Sequence, residues 1–234
     1  MKMPSKVPKA LAGSLAALVM LAAGVSIQNA EPAPEALRNE YIQAVAADTS
    51  TSMAVKIAMV MGSQYESSGK HIGKPYVDKL GRGQPLTVCN GVTGPEVVAG
   101  RYYTPADCFR IEKRRYLLAE AAAMRALVYW PSYDDFARAT FIDFIWNKGE
   151  AAFEASTMLT LANRGQLEAA CRQNPRWNKG TKNGVLQVLP GLQSRGDSNF
   201  LSCLCGSEHR EGQRRGCGAF LSCLCGSERA RWRG

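Results

Sequence analysis

Two kinds of side chain here have the type and spacing for chemistry: isolated carboxylates early in the chain and cysteines later. Glu66 is the one glutamate between Glu40 and Glu96, and Asp78 is the one aspartate between Asp48 and Asp107. A glutamate and an aspartate facing one site can divide acid and base work, one protonated and the other ionised. A glutamate at a helix end is ordinarily a solvated surface charge, so the neighbouring sequence has to decide its role. The cysteines, eight in all, begin at Cys89 and continue with Cys108, Cys171, Cys203, Cys205, Cys217, Cys223 and Cys225. They form no Cys-x-x-Cys pair, which argues against a zinc ribbon or a thioredoxin-type redox motif. Behind an export-like N-terminus such a set suggests disulfides, the alternative being inert buried thiols. Cys89 with Cys108 and Cys171 with Cys203 are candidate bridges, though the sequence leaves the connectivity open.

Composition bounds the rest. The 234 residues are 46% hydrophobic and 21% charged, enough for one ordinary core or two small ones. That excludes a disordered chain, a coiled coil and a collagen. Only one apolar run approaches membrane length, which excludes a multi-span membrane protein. Lys and Arg outnumber Asp and Glu by 29 to 20, a net charge of +9. Such a balance suits an anionic partner: nucleic acid, anionic lipid or a bacterial wall with free carboxylates.

Lys2, Lys6 and Lys9 precede an uncharged run from Ala10 to Val25. This is the order of a secretion signal, a positive region followed by an apolar one. The run is rich in Ala and Gly and a little short of the roughly 20 residues of a comfortable spanning helix. Gln28-Asn29-Ala30 is a poor cleavage site, so the segment is either removed or kept as a marginal anchor. The expected organisation is a signal or signal-anchor over residues 1–30 and a Pro-rich linker over 31–40. A folded domain over 41–205 and a basic tail over 206–234, expected to be disordered, complete it.

Helical spacing marks Glu40 to Ala47 and Met53 to Tyr65, with Glu66 at the edge of the second helix. From Lys70 to Tyr103, glycines and prolines punctuate short runs such as Leu86-Thr87-Val88, the texture of a small sheet of hairpins. Thr104-Pro105-Ala106-Asp107 opens a helix expected to reach Tyr129. The next helix, through Phe141 and Trp146 to Asn147-Lys148-Gly149, is apolar nearly all round and so central. Short helices near Ser156–Asn163 and Gln166–Gln173, a loop rich in Gly, Asn and Lys, and a short helix after Gly191 follow. The fold class is α+β, mainly helical with a small sheet of hairpins.

The segment Glu66 … Pro75-Tyr76-Val77-Asp78 … Leu86-Thr87-Val88-Cys89-Asn90-Gly91-Val92-Thr93-Gly94 resembles the catalytic hairpin of phage lysozymes of glycoside hydrolase family 24. Tyr103-Thr104 through Cys108, Phe141 through Gly149, and then Phe153, Ser156, Asn163, Cys171, Trp177 and Gly191-Leu192 continue in that family's order. Similarity is greatest to endolysins of lambdoid phages, including those of the signal-arrest-release type. The resemblance implies a lysozyme-like fold whose small sheet carries the active site, and a catalytic triad of Glu66, Asp78 and Thr87. Both gaps, of eleven and eight residues, are three residues longer than usual in the family.

Glu66 would be the general acid in a partly apolar cleft, Asp78 would activate a water, and Thr87 would hold that water. Inversion at the anomeric carbon is implied, which needs carboxyl groups about 6.5–9.5 Å apart. No cofactor or metal is expected. The expected partner is peptidoglycan, cleaved between N-acetylmuramic acid and N-acetylglucosamine, with the inner membrane touched through the N-terminal segment and no nucleic acid. A monomer exported to the periplasm is expected, the alternative being an inactive wall-binding protein of the same fold. His71 is expected to be an exposed loop residue without a role, Tyr76 to pack beside the cleft, and Trp177 to be the candidate for sugar stacking.

The tail repeats itself: Phe200-Leu201-Ser202-Cys203-Leu204-Cys205-Gly206-Ser207-Glu208 recurs unchanged as Phe220 to Glu228. Metal binding by its Cys-x-Cys pairs, attachment to the wall, and a duplication without a role are the readings it allows. Before it, Gly196 and Asn199 depart from the family's final helix, and a glycine there costs about 1 kcal/mol.

Overall fold

The computed structural model describes residues 32–67, 69–79, 83–182 and 184–208. The apolar run at 10–25 and the second copy of the tail repeat lie outside the described residues. Helices α1 (Pro34–Ala47) and α2 (Met53–Glu66) come first. A three-stranded antiparallel sheet follows, with β1 (Tyr76–Val77), β2 (Leu86–Val88) and β3 (Val92–Thr93) in that spatial order. Then come α3 (Pro105–Ala126), α4 (Asp135–Lys148), α5 (Glu150–Glu154), α6 (Thr157–Ala162) and α7 (Leu167–Cys171). The hairpin of β4 (Lys179–Lys182) and β5 (Val185–Val188) precedes the last described helix, α8 (Pro190–Glu208).

Local chemistry sets most of these bounds. Ser52 caps α2 by accepting from Val55 N (3.1 Å), and Asp134 caps α4 by accepting from Phe136 N and Ala137 N. At α3, Thr104 Oγ1 accepts from Asp107 N while Asp107 Oδ2 accepts from Thr104 N, both at 3.1 Å, a reciprocal capping box. This helix stops at Ala126 rather than Tyr129. Asn163 intercepts its end, donating to Ala126 O (2.8 Å) and accepting from Val128 N (2.9 Å).

Three further expectations are corrected. The stretch read as a linker to residue 40 is helical from Pro34, where proline fits because first-turn N–H groups have no intrahelical partner. The Gly-, Asn- and Lys-rich loop is the β4–β5 hairpin, with Gly184 at φ 77° in its turn. Its four β5 residues are all exposed, so no alternation of polar and apolar residues marked the strand. The last helix is long, 19 residues. Gly196 permits this: a Cβ there would lie 2.8 Å from Asn174 O and 2.9 Å from Pro175 Cα, so only glycine lets α8 lie against that turn.

The core forms around α4, whose Phe141, Ile142, Phe144 and Ile145 are buried. It packs on α2, whose Val55 and Met59 share its core, and on α3, whose Tyr116 and Ala123 do the same. Two disulfides with both ends among the described residues pin the frame: Cys89–Cys108 ties the end of β2 to the first turn of α3, and Cys171–Cys203 ties α7 to α8. The second closes a loop spanning a sequence separation of 32. In the chain-entropy model such a loop is worth roughly 3–4 kcal/mol. Replacing Cys171 and Cys203 together by Ala should lower the melting temperature by roughly 10 °C under oxidising conditions. A calorimetric scan checks this.

Candidate active site

Glu66 is the last residue of α2: the helix is buried on every side from Ala58 to Ser63, and its end brings the Glu66 carboxylate to the cleft beside the sheet. Asp78 follows β1, its N–H donating to Pro85 O (3.0 Å) across the hairpin. Thr87 is central in β2, paired with Tyr76 on one side and Thr93 on the other. Its hydroxyl donates to Pro85 O (3.2 Å), which leaves the oxygen's lone pairs available to a water.

All three residues line one cleft of about 470 Å³. The cleft runs between the sheet and the faces of α3 and α4, where Leu118, Ala119, Ala122 and Trp146 give it an apolar side and Asn90, Asn147 and Glu150 a polar one. Tyr76, exposed, lines it. Trp146 lines it and stacks flat on Tyr116 at 4.2 Å. Trp177 does not line it; this indole packs edge-on against Phe144 at 5.0 Å, which removes it as a stacking candidate. His71 is half-buried, its Nε2 2.8 Å from Tyr103 O, rather than loose on a loop.

The surroundings of Glu66 are not the apolar ones expected. Arg195 Nη1 on α8 donates to Glu66 Oε1. The same guanidinium holds Asp143 of α4 in a fork, Nε to Oδ2 at 2.9 Å and Nη2 to Oδ1 at 2.7 Å. Asn199 adds a bond to Asp143 Oδ2 (2.8 Å). Asp143 is fully buried and Arg195 only 4% exposed. Burial opposes the charge on Arg195, but Asp143 and then Glu66 outweigh it and hold its pKa above the ordinary value. Arg195, Asp143 and Asn199 thus form a rigid support behind Glu66. Arg195 and Asn199 lie on the long helix where Asn199 had looked like a mere departure; Asp143, an acid set among Phe141, Ile142, Phe144 and Ile145, was the visible signal.

Among the described residues the group with metal-like spacing is Cys89, Cys108 and Glu112, and its two sulfurs are bonded to each other.

Helices around a small sheet, with one cleft lined by a helix-terminal glutamate, an aspartate and a threonine, are the arrangement expected of a lysozyme-like glycosidase. The phage lysozyme family model matches residues 70–198. Over 173 residues the chain is 30% identical to a SAR-endolysin of bacteriophage PS119, covering 74% of this chain and 97% of that one. It is 28% identical over 175 residues to a SAR-endolysin of Enterobacteria phage P21, covering 75% and 99%. The active form of the P1 phage endolysin Lyz has the same fold, with a TM-score of 0.58 at 20% identity over 73% of this chain and 94% of that one. The chain belongs to the phage lysozyme family and is a glycoside hydrolase of the endolysin, muramidase type.

Proposed function

We propose that the protein cleaves the β-1,4 bond between N-acetylmuramic acid and N-acetylglucosamine, with Glu66 as general acid, Asp78 activating a water and Thr87 holding it. The observation that carries this is the convergence of the three on one open cleft despite two lengthened gaps in sequence. An acid on one face of the bond and a carboxylate-held water on the other are what glycoside hydrolysis requires. The net charge of +9 favours approach to an anionic wall. Turbidity loss of permeabilised Gram-negative cells tests the reading; retention on isolated sacculi without clearing would mean an inactive wall binder.

Export to the periplasm by a signal-arrest-release route belongs to the same proposal. The support is the Ala- and Gly-rich run at residues 10–25 and the SAR-endolysin relatives. A segment this weakly apolar sits near the threshold between insertion and escape. Replacing its Ala and Gly residues by Leu should lock the enzyme in the membrane and block lysis, read by fractionation; unchanged release defeats the idea.

A further inference from the structure

A third acid stands behind the cleft. Glu112, one turn beyond Cys108 on α3, is completely buried. Its Oε1 accepts from Asn90 N (3.0 Å), and its Oε2 accepts from Asn90 Nδ2 (3.1 Å) and Tyr41 OH (2.5 Å). Burying a carboxyl group is costly, and here most of its bonding is spent on one residue. Asn90 is the middle of the turn joining β2 to β3, flanked by Cys89 at φ 56° and Gly91 at φ 82°. Asn90 and Gly91 line the cleft, and a Cβ on Gly91 would lie 3.5 Å from Glu66 Oε2. Asn90 Oδ1 also accepts from Ser67 Oγ (2.9 Å), the residue after Glu66. One turn is therefore held from behind by Glu112 and from the side by Ser67 while it abuts Glu66.

We propose that Glu112 is a positioning residue for the hydrolytic site: ionised, it grips both N–H groups of Asn90 and fixes the turn Cys89–Gly91 against Glu66. This rests on reading the cleft around Glu66 as that site. Protonation cancels the charge that strengthens all three bonds and makes one acceptor oxygen a donor, which loosens the turn. Burial, outweighing those bonds, raises the pKa of Glu112 to about 7. The titratable groups facing it are Tyr41 from α1, Glu66 from α2 and Tyr116 from α3. Burial pushes both phenols well above their ordinary value, so they stay neutral, while Glu66 contributes to raising Glu112. From the sheet, Cys89 is tied in its disulfide.

Two opposite trends follow. Turnover rises as pH passes through about 7 and Glu112 ionises. Stability moves the other way: with its folded pKa above the unfolded carboxyl value, the native state binds the extra proton between about 4.5 and 7. Stability therefore falls across that window and is level above it.

The test measures initial rates on isolated sacculi and thermal melts of the full chain between about pH 5.5 and 8.5. Wild-type kcat should climb about fivefold with a midpoint near 7 and little change in KM. E112Q cannot accept from both Asn90 donors and should stay flat at or below the wild-type low-pH rate, its melting temperature no longer declining with pH. Y41F removes a bond that favours the ionised form and should move the midpoint upward. If E112Q does not fold, the Y41F shift decides. A wild type without the rise, an E112Q enzyme that keeps it, or a Y41F midpoint that does not move overturns the proposal. E66Q separates this from the underlying reading: an active E66Q removes the cleft assignment itself, whereas an inert E66Q beside an E112Q indistinguishable from wild type removes only the role of Glu112.

Discussion

Glu66→Gln should leave a folded protein that binds sacculi and releases almost nothing from them. The amide keeps the shape of the side chain and an oxygen for Arg195 Nη1 to bond, so the support from Asp143 and Asn199 stays intact. What is lost is the transferable proton. General acid catalysis of this kind contributes about 10²–10⁴-fold, and the fall in kcat should lie in that range with KM near wild type. Reducing ends released from purified sacculi give the measurement. Activity within about threefold of wild type would take the acid role away from Glu66.

Arg195→Leu should be the most damaging single change to stability. It strands the fully buried Asp143 carboxylate with Asn199 as its hydrogen-bond partner among the described residues, and leaves Glu66 without its guanidinium. Breaking a buried pair from one side costs about 3–5 kcal/mol, because the remaining charge has no water to retreat to. Urea titration should show the midpoint falling accordingly, with activity lost as well. Adding Asp143→Leu removes the stranded charge, and the double variant should regain a substantial part of the stability without regaining activity. A double variant less stable than Arg195→Leu alone would mean that the pair is not what Arg195 satisfies.

What could be read from the sequence followed physical rules that act locally. Thr104-Pro105-Ala106-Asp107 announced a capping box, and the density of apolar residues from Phe136 to Trp146 announced a buried helix, because both signals are complete within a few residues. Glu66, Asp78 and Thr87 stood out because the acids around them are sparse and the motif order is specific. Less was visible where long-range partners decide. Glu112 and Arg195 look like ordinary helix-surface charges, and only the approach of Asn90 and Asp143 from distant segments turns them inward. Gly196 read as a weakness in a helix, yet the turn at Asn174 and Pro175 requires it. The β4–β5 hairpin buries no face and so wrote no periodic pattern.

Because Arg195 lies on the last described helix while Glu66 ends the second, the site draws its parts from opposite ends of the domain. During synthesis the segment bearing Glu66 emerges from the ribosome about 130 residues ahead of its guanidinium support. A nascent or prematurely terminated polypeptide therefore lacks a finished bond-cutting apparatus, however well its first helices fold. Synthesis of α8 is thus the step that completes the surroundings of the acid.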